Sequence, residues 1–129
     1  MKPVILVVDD EPALRGMIAR TLEAEGFGVV MASDGLEAWG LIEEGNGPFA
    51  LLLVDLVMPR WDGTTLIRRV KEHQPAQRIL IITGRAEPEL LEQVSRNIPV
   101  LLKPFSPEDL LRAVRQCLRP RDSRAAVRP

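Results

Sequence analysis

Leu51-Leu52-Leu53-Val54-Asp55 constrains this chain more than any other stretch. The apolar side chains follow one another without the polar alternation of a strand that has one wet face. Such a run suits a strand covered on both faces, as in the middle of a parallel sheet. It then stops at a single carboxylate. Asp55 stands either as a residue that ends the strand and caps the next turn, or at the strand end where open α/β sheets bind their ligands. Met58-Pro59-Arg60-Trp61-Asp62-Gly63 follows as a loop rich in turn residues.

The same logic repeats along the chain. Val4 to Val8 reads as a buried strand ending in Asp9-Asp10-Glu11, and Pro12 suits the first turn of a helix, where its missing N–H costs nothing. Leu14, Met17, Ile18 and Leu22 recur at helical spacing, and Gly26 closes that helix. Phe27 to Met31 is a second strand. Asp34 with Glu37 forms a capping-box-like start to a helix whose apolar stripe is Leu36, Trp39 and Ile42, stopped by Gly45 to Pro48. Leu66, Ile67 and Val70 mark a third helix ending near Pro75. Arg78 to Ile82 is a strand terminated by Thr83-Gly84, and Leu90, Leu91 and Val94 mark a fourth helix. Val100 to Leu102 is a last short strand, leading into Lys103-Pro104-Phe105. Ser106 caps the final helix, with Pro107 at its first position, Asp109 at its third, and Leu110, Leu111, Val114 and Leu118 as its stripe. Strand and helix alternate five times, which predicts an α/β domain of parallel strands with right-handed crossovers and helices on both faces. That domain covers residues 1–118, and the apolar-poor residues 119–129 are expected to be a disordered tail.

At 129 residues, 46% of them hydrophobic and 27% charged, the chain has the makeup of one soluble domain. A net charge of -1 supplies no drive toward nucleic acid or membrane. No stretch has the length of a transmembrane helix or the pattern of a signal peptide, so a cytoplasmic location is expected. Cys117 is the only cysteine and is expected to be a buried structural thiol. His73 has no companion at ligand spacing and reads as a solvated surface residue.

The strand ends carry the chemistry. In a parallel sheet, Asp9-Asp10, Asp55, Thr83 and Lys103 come to one rim. Crowded carboxylates repel one another, and a hard divalent cation with oxygen ligands relieves the repulsion. Mg²⁺ suits such a donor set. A carboxylate beside Mg²⁺, a lysine and a hydroxyl is equipped to accept a phosphoryl group.

Taken together, Asp9-Asp10, Asp55 with Met58-Pro59 and Asp62-Gly63, Thr83, and Lys103-Pro104-Phe105 resemble the receiver domain of two-component response regulators, over residues 3 to 118. The resemblance implies a flavodoxin-like (βα)5 three-layer sandwich with a five-stranded parallel sheet in the order 2-1-3-4-5. It implies that Asp55 is the phosphoacceptor, Asp10 a direct Mg²⁺ ligand, Asp9 a ligand through water, and the Val57 carbonyl a further ligand. Thr83 matches the switch hydroxyl, Lys103 the lysine that pairs with the phosphoryl group, and the Gly84 amide a donor to a phosphoryl oxygen. The partners implied are a sensor histidine kinase or histidine phosphotransfer protein upstream and an output protein downstream. That output is reached through the fourth helix, fifth strand and fifth helix. The protein is then a signalling module, not an enzyme with an external substrate. With no output domain in the chain, the protein acts alone or is a receiver excised from a larger protein such as a hybrid kinase, and the Met1 start favours the stand-alone reading. A cis Lys103–Pro104 bond is also implied.

Two positions depart from the family pattern. Val100 stands where an aromatic usually moves with the threonine. Trp61 replaces the usual small aliphatic, as either a partner contact or a chance surface residue. Two other classes fit less well. A haloacid-dehalogenase-type phosphatase needs an acid two residues past its nucleophile, where this chain has Val57. A nucleotide-binding module needs a Gly-rich loop after the first strand, where Asp9-Asp10-Glu11-Pro12-Ala13 stands.

Overall fold

The computed structural model describes residues 2–84, 92 and 97–120. Among these residues lie strands β1 (Val4–Val8), β2 (Gly28–Ala32), β3 (Leu51–Asp55), β4 (Ile79–Thr83) and β5 (Val100–Leu102). The helices are α1 (Pro12–Ala24), α2 (Gly35–Glu43), α3 (Gly63–His73) and α4 (Pro107–Cys117). All strand pairs are parallel, in the order β2-β1-β3-β4-β5. The order expected from the resemblance is therefore the order observed. The helix expected around Leu90, Leu91 and Val94, and the tail beyond Pro120, lie outside the described residues.

The unalternating run of β3 has its explanation in two cores. Leu52 and Val54 join Leu6, Val8, Leu66, Ile67 and Val70 on the face covered by α2 and α3. Leu51 and Leu53 join Ile5, Val7, Ile18, Leu22, Leu110 and Val114 on the face covered by α1 and α4. Every residue of β3 and β4 is buried. A strand between two helical layers has no wet side, so its sequence shows no polar alternation.

The caps are local and follow the expected chemistry. Asp62 accepts from the Thr65 amide at 2.9 Å and starts α3. Ser106 and Asp109 form a reciprocal capping box on α4. At α2 the box is displaced by one residue. Asp34 caps the Glu37 amide at 2.9 Å, but the Glu37 carboxylate reaches back to the Ser33 amide, not to Asp34. Both the Lys103–Pro104 and Gly47–Pro48 peptides are cis.

Two expectations need correction. Leu36 is 40% exposed, because a row at i, i+3 and i+6 drifts by about 60° per step around a helix and leaves its first member at the edge of the buried stripe. Cys117 is only partly buried, near the end of α4; burial nonetheless pushes its thiol above the ordinary value, with Arg78 opposing. His73 is exposed as expected, yet its ring meets Trp39 edge-on at 5.1 Å.

Candidate functional site

The register decides what meets at the C-terminal rim. Val8 is paired with Val54, so the next residue, Asp9, faces the neighbourhood of Asp55. Asp55 is paired with Ile82, and Thr83 with Leu102, one residue before Lys103. The Lys103 amide donates to the Thr83 carbonyl at 2.8 Å, which carries the parallel pairing up to the lysine.

The two acids after β1 have different surroundings. Asp9 is fully buried, whereas Asp10 is exposed. The Asp9 carboxylate accepts from the Glu11 amide at 2.8 Å and from Lys103 Nζ at 2.9 Å. Asp55 is 5% exposed and accepts from the Val57 amide at 3.1 Å and from Lys103 Nζ at 2.9 Å. Lys103 thus bridges the two buried carboxylates. Glu11 adds a longer, exposed contact at 3.5 Å. Burial holds the Asp55 carboxyl above its ordinary value, and the Lys103 and Val57 hydrogen bonds offset only part of that. For Lys103, burial works the other way. The bonds to Asp9 and Asp55 outweigh it and raise the ammonium well above its ordinary value.

Asp9, Asp10 and Asp55 each offer one carboxylate oxygen, and these oxygens lie within 4.8 Å of one another. Three formal negative charges face one lysine, leaving an excess of two. Hard oxygen donors in this number and of this net charge fit a divalent cation. The Val57 side chain is 47% exposed at the rim, Thr83 is fully buried, and Gly84 is exposed with open space beside it. Arg85 lies outside the described residues. Among the described residues, two hollows of about 670 and 560 Å³ occur instead near the opposite ends of the strands, one around Pro3, Ala50 and Arg78 and the other around Arg78, Asn97 and Gln116, and neither is lined by these groups.

Sequence reasoning brought together Asp9, Asp10, Asp55, Thr83 and Lys103, and the structure places them on one rim. It missed Glu11 and Arg15. Glu11 continues the acidic run, and that run was its signal. Arg15 Nη1 donates to the Asp9 carbonyl at 2.6 Å from the first turn of α1. Trp61 packs against the core on the face covered by α2 and α3. It is half-buried, 6.3 Å from Trp39, with the Arg69 guanidinium 5.3 Å from its ring centroid.

Comparison with known proteins agrees with this geometry. The family model described as "Response regulator receiver domain" matches residues 5–115. The response regulator receiver protein CpdR of Brucella abortus (strain 2308) is 36% identical over 116 residues, which cover 88% of this chain and 95% of CpdR. The sensor kinase CckA of the same strain is 34% identical over 92% of this chain, which spans only 13% of that kinase. A crystal structure of a CheY-like response regulator receiver domain protein from Methanospirillum hungatei JF-1 superposes with a TM-score of 0.82. It has 30% identity, over 92% of this chain and 94% of that one. Because the model match spans all five strands and their rim, the chain belongs to the response regulator receiver domain family, whose members are signalling domains of phosphorelays.

Proposed function

We propose that this protein receives a phosphoryl group on Asp55 from a phosphohistidine and passes the signal on by a change of shape. The observation that carries this reading is Lys103 Nζ, held 2.9 Å from both Asp55 and the fully buried Asp9. In this reading residues 1–118 are the receiver domain, 119–129 a tail, and the cytoplasm the compartment. The donor is a sensor histidine kinase or a histidine phosphotransfer protein. The output face comprises the expected fourth helix, β5 and α4, with no direct role for nucleic acid or membrane. No helix among the described residues is long and apolar enough to cross a membrane.

Asp10, Asp55, the Val57 carbonyl and, through water, Asp9 would hold Mg²⁺. The ion supplies positive charge that neutralises the transferring phosphoryl oxygens. The remaining steps belong to this chain's own residues. An Asp55 carboxylate oxygen attacks phosphorus, the donor's N–P bond breaks, and the leaving imidazole takes up a proton. Lys103 then pairs with a phosphoryl oxygen, and the Gly84 amide and the Thr83 hydroxyl donate to others. Drawing the buried Thr83 toward the phosphoryl group pulls on the segment that follows it. Catalysis in this sense is confined to the protein's own phosphorylation and dephosphorylation. Acetyl phosphate with Mg²⁺ is expected to label the wild type and not Asp55→Asn, read by intact mass; equal labelling of both refutes the assignment.

The lifetime of the phosphorylated state is a second expectation. Hydrolysis needs a water in line with phosphorus. Val57 lies two residues past Asp55 and is exposed at the rim. It has no group to orient a water, and its branched side chain shields the acyl phosphate. Arg85, two residues past Thr83, has donors only and cannot accept the water's proton. Slow self-dephosphorylation follows. Val57→Asn is expected to speed decay by about tenfold through placement of one water. Decay of phosphorylated protein in Mg²⁺ without kinase measures it; an unchanged or slower rate removes Val57 from the account.

A further inference from the structure

The loop between Asp55 and α3 is fastened to α2 by an ion pair that the phosphoryl chemistry does not use. Arg60 has φ 59°, in the left-handed region that side-chain-bearing residues mostly avoid. Its Nε donates to Asp34 Oδ2 at 2.7 Å, 26 residues away in sequence. Asp34 is 5% exposed, and its other oxygen caps the α2 N-terminus through the Glu37 amide. One residue on, the Trp61 carbonyl accepts from the Gly35 amide at 2.9 Å. A Cβ on Gly35 would overlap that carbonyl, so the loop lies directly against the first turn of α2. Trp61 then packs toward Trp39 of the same helix.

At its other end the loop is tied to the site. The Val57 amide donates to Asp55 Oδ1 at 3.1 Å, and the Gly63 amide donates to the Leu56 carbonyl at 3.0 Å. Between these ties, the path of Val57 to Arg60 has one charged anchor among the described residues, the Arg60–Asp34 pair. A carbonyl that coordinates a metal must be aimed, and a mobile loop aims it poorly. We propose that Arg60, held by Asp34, is a positioning residue that orients the Val57 carbonyl for the divalent cation and couples cation binding to the N-terminus of α2. This rests on the reading of the rim as a Mg²⁺ site. Coupling is reciprocal, so whatever disturbs the start of α2 must also weaken the cation.

The test uses Mg²⁺ alone, titrated calorimetrically into the full chain. Arg60→Asn removes the ion pair but keeps a residue that tolerates the left-handed conformation. Asp34→Asn removes the charge but keeps a capping oxygen. Each is expected to raise the Mg²⁺ Kd by about tenfold, as for other groups that act through a metal ligand. The double variant should be no weaker than either single, because both remove one interaction. The melting temperature of Mg²⁺-free protein is measured alongside, since a merely structural role would lower it and leave Kd in place. Asp10→Asn serves as the control on the site itself. Suppose wild type binds Mg²⁺, Asp10→Asn does not, and either Arg60→Asn or Asp34→Asn binds as wild type or their effects add. The coupling is then overturned and the site stands. If wild type shows no saturable binding, or Asp10→Asn matches it, the site reading falls and takes the coupling with it.

Discussion

Lys103→Ala is expected to cost the Mg²⁺-free protein about 3 kcal/mol of stability, the lower end of the range for breaking a buried ion pair. The lysine side chain is 16% exposed, and those of its partners Asp9 and Asp55 are 0% and 7% exposed. Removing it strands two buried carboxylates without their cation, and solvent screens them little. For a domain of this size, such a loss is a fall of roughly 10 °C in melting temperature. The sign with pH follows from the direction of each shift. The bonds to Asp9 and Asp55 raise Lys103 above its ordinary 10.5, so its stabilisation is complete below that value and is lost as pH climbs above it. Wild type and variant should therefore converge in strong alkali. They should also converge in acid, starting above pH 3.8, because burial makes Asp55 take up its proton early. Mg²⁺ should restore part of the loss, by replacing the missing positive charge. The rate of labelling by acetyl phosphate should fall about 100-fold, as when a preorganised charge at a developing anion is removed. Urea unfolding with and without Mg²⁺, across pH, provides the check. A variant as stable as wild type at pH 7 would mean that the two carboxylates do not depend on Lys103.

Gly63→Ala is expected to be the most damaging single methyl group in the chain. A Cβ at this position would overlap the Asp55 carbonyl oxygen and sit 2.6 Å from Leu56 Cα. These are backbone atoms of the central strand's end, so no flexible side chain can move aside. The start of α3 must back away from β3, breaking the bond from the Gly63 amide to the Leu56 carbonyl and disturbing the Asp62 cap. Forced overpacking of this kind costs about 2 kcal/mol or more. The displacement also reaches the site, since Asp55 and Val57 lie at the same turn. Mg²⁺ affinity should therefore drop together with stability, whereas a cavity mutation deep in a core, such as Val114→Ala, should lower stability alone. Thermal unfolding and Mg²⁺ titration of the two variants separate these outcomes. Wild-type Mg²⁺ affinity in Gly63→Ala would show that the site does not depend on this close approach.

Much of this protein is written in local sequence, because the physics involved is local. Strand and helix periods, the proline at the first turn of α1, the cap residues Asp62 and Ser106, and the placing of Asp9, Asp55, Thr83 and Lys103 at strand ends need only neighbouring residues to be read. A parallel α/β sheet then brings those ends to one rim, whatever the details of packing. What the tertiary structure alone decided depends on how separate elements meet. Asp9 and Asp10 are adjacent in sequence, yet only Asp9 is fully buried against Lys103, because register and pleat choose which acid points inward. Leu36 shares the stripe of α2 but is left exposed at its edge. Trp61 finds Trp39 across 22 residues, and Arg60 finds Asp34 across 26. No periodicity predicts these contacts, because they arise from the angle and distance at which the loop after β3 lies against α2, and that geometry is a property of the packed layers.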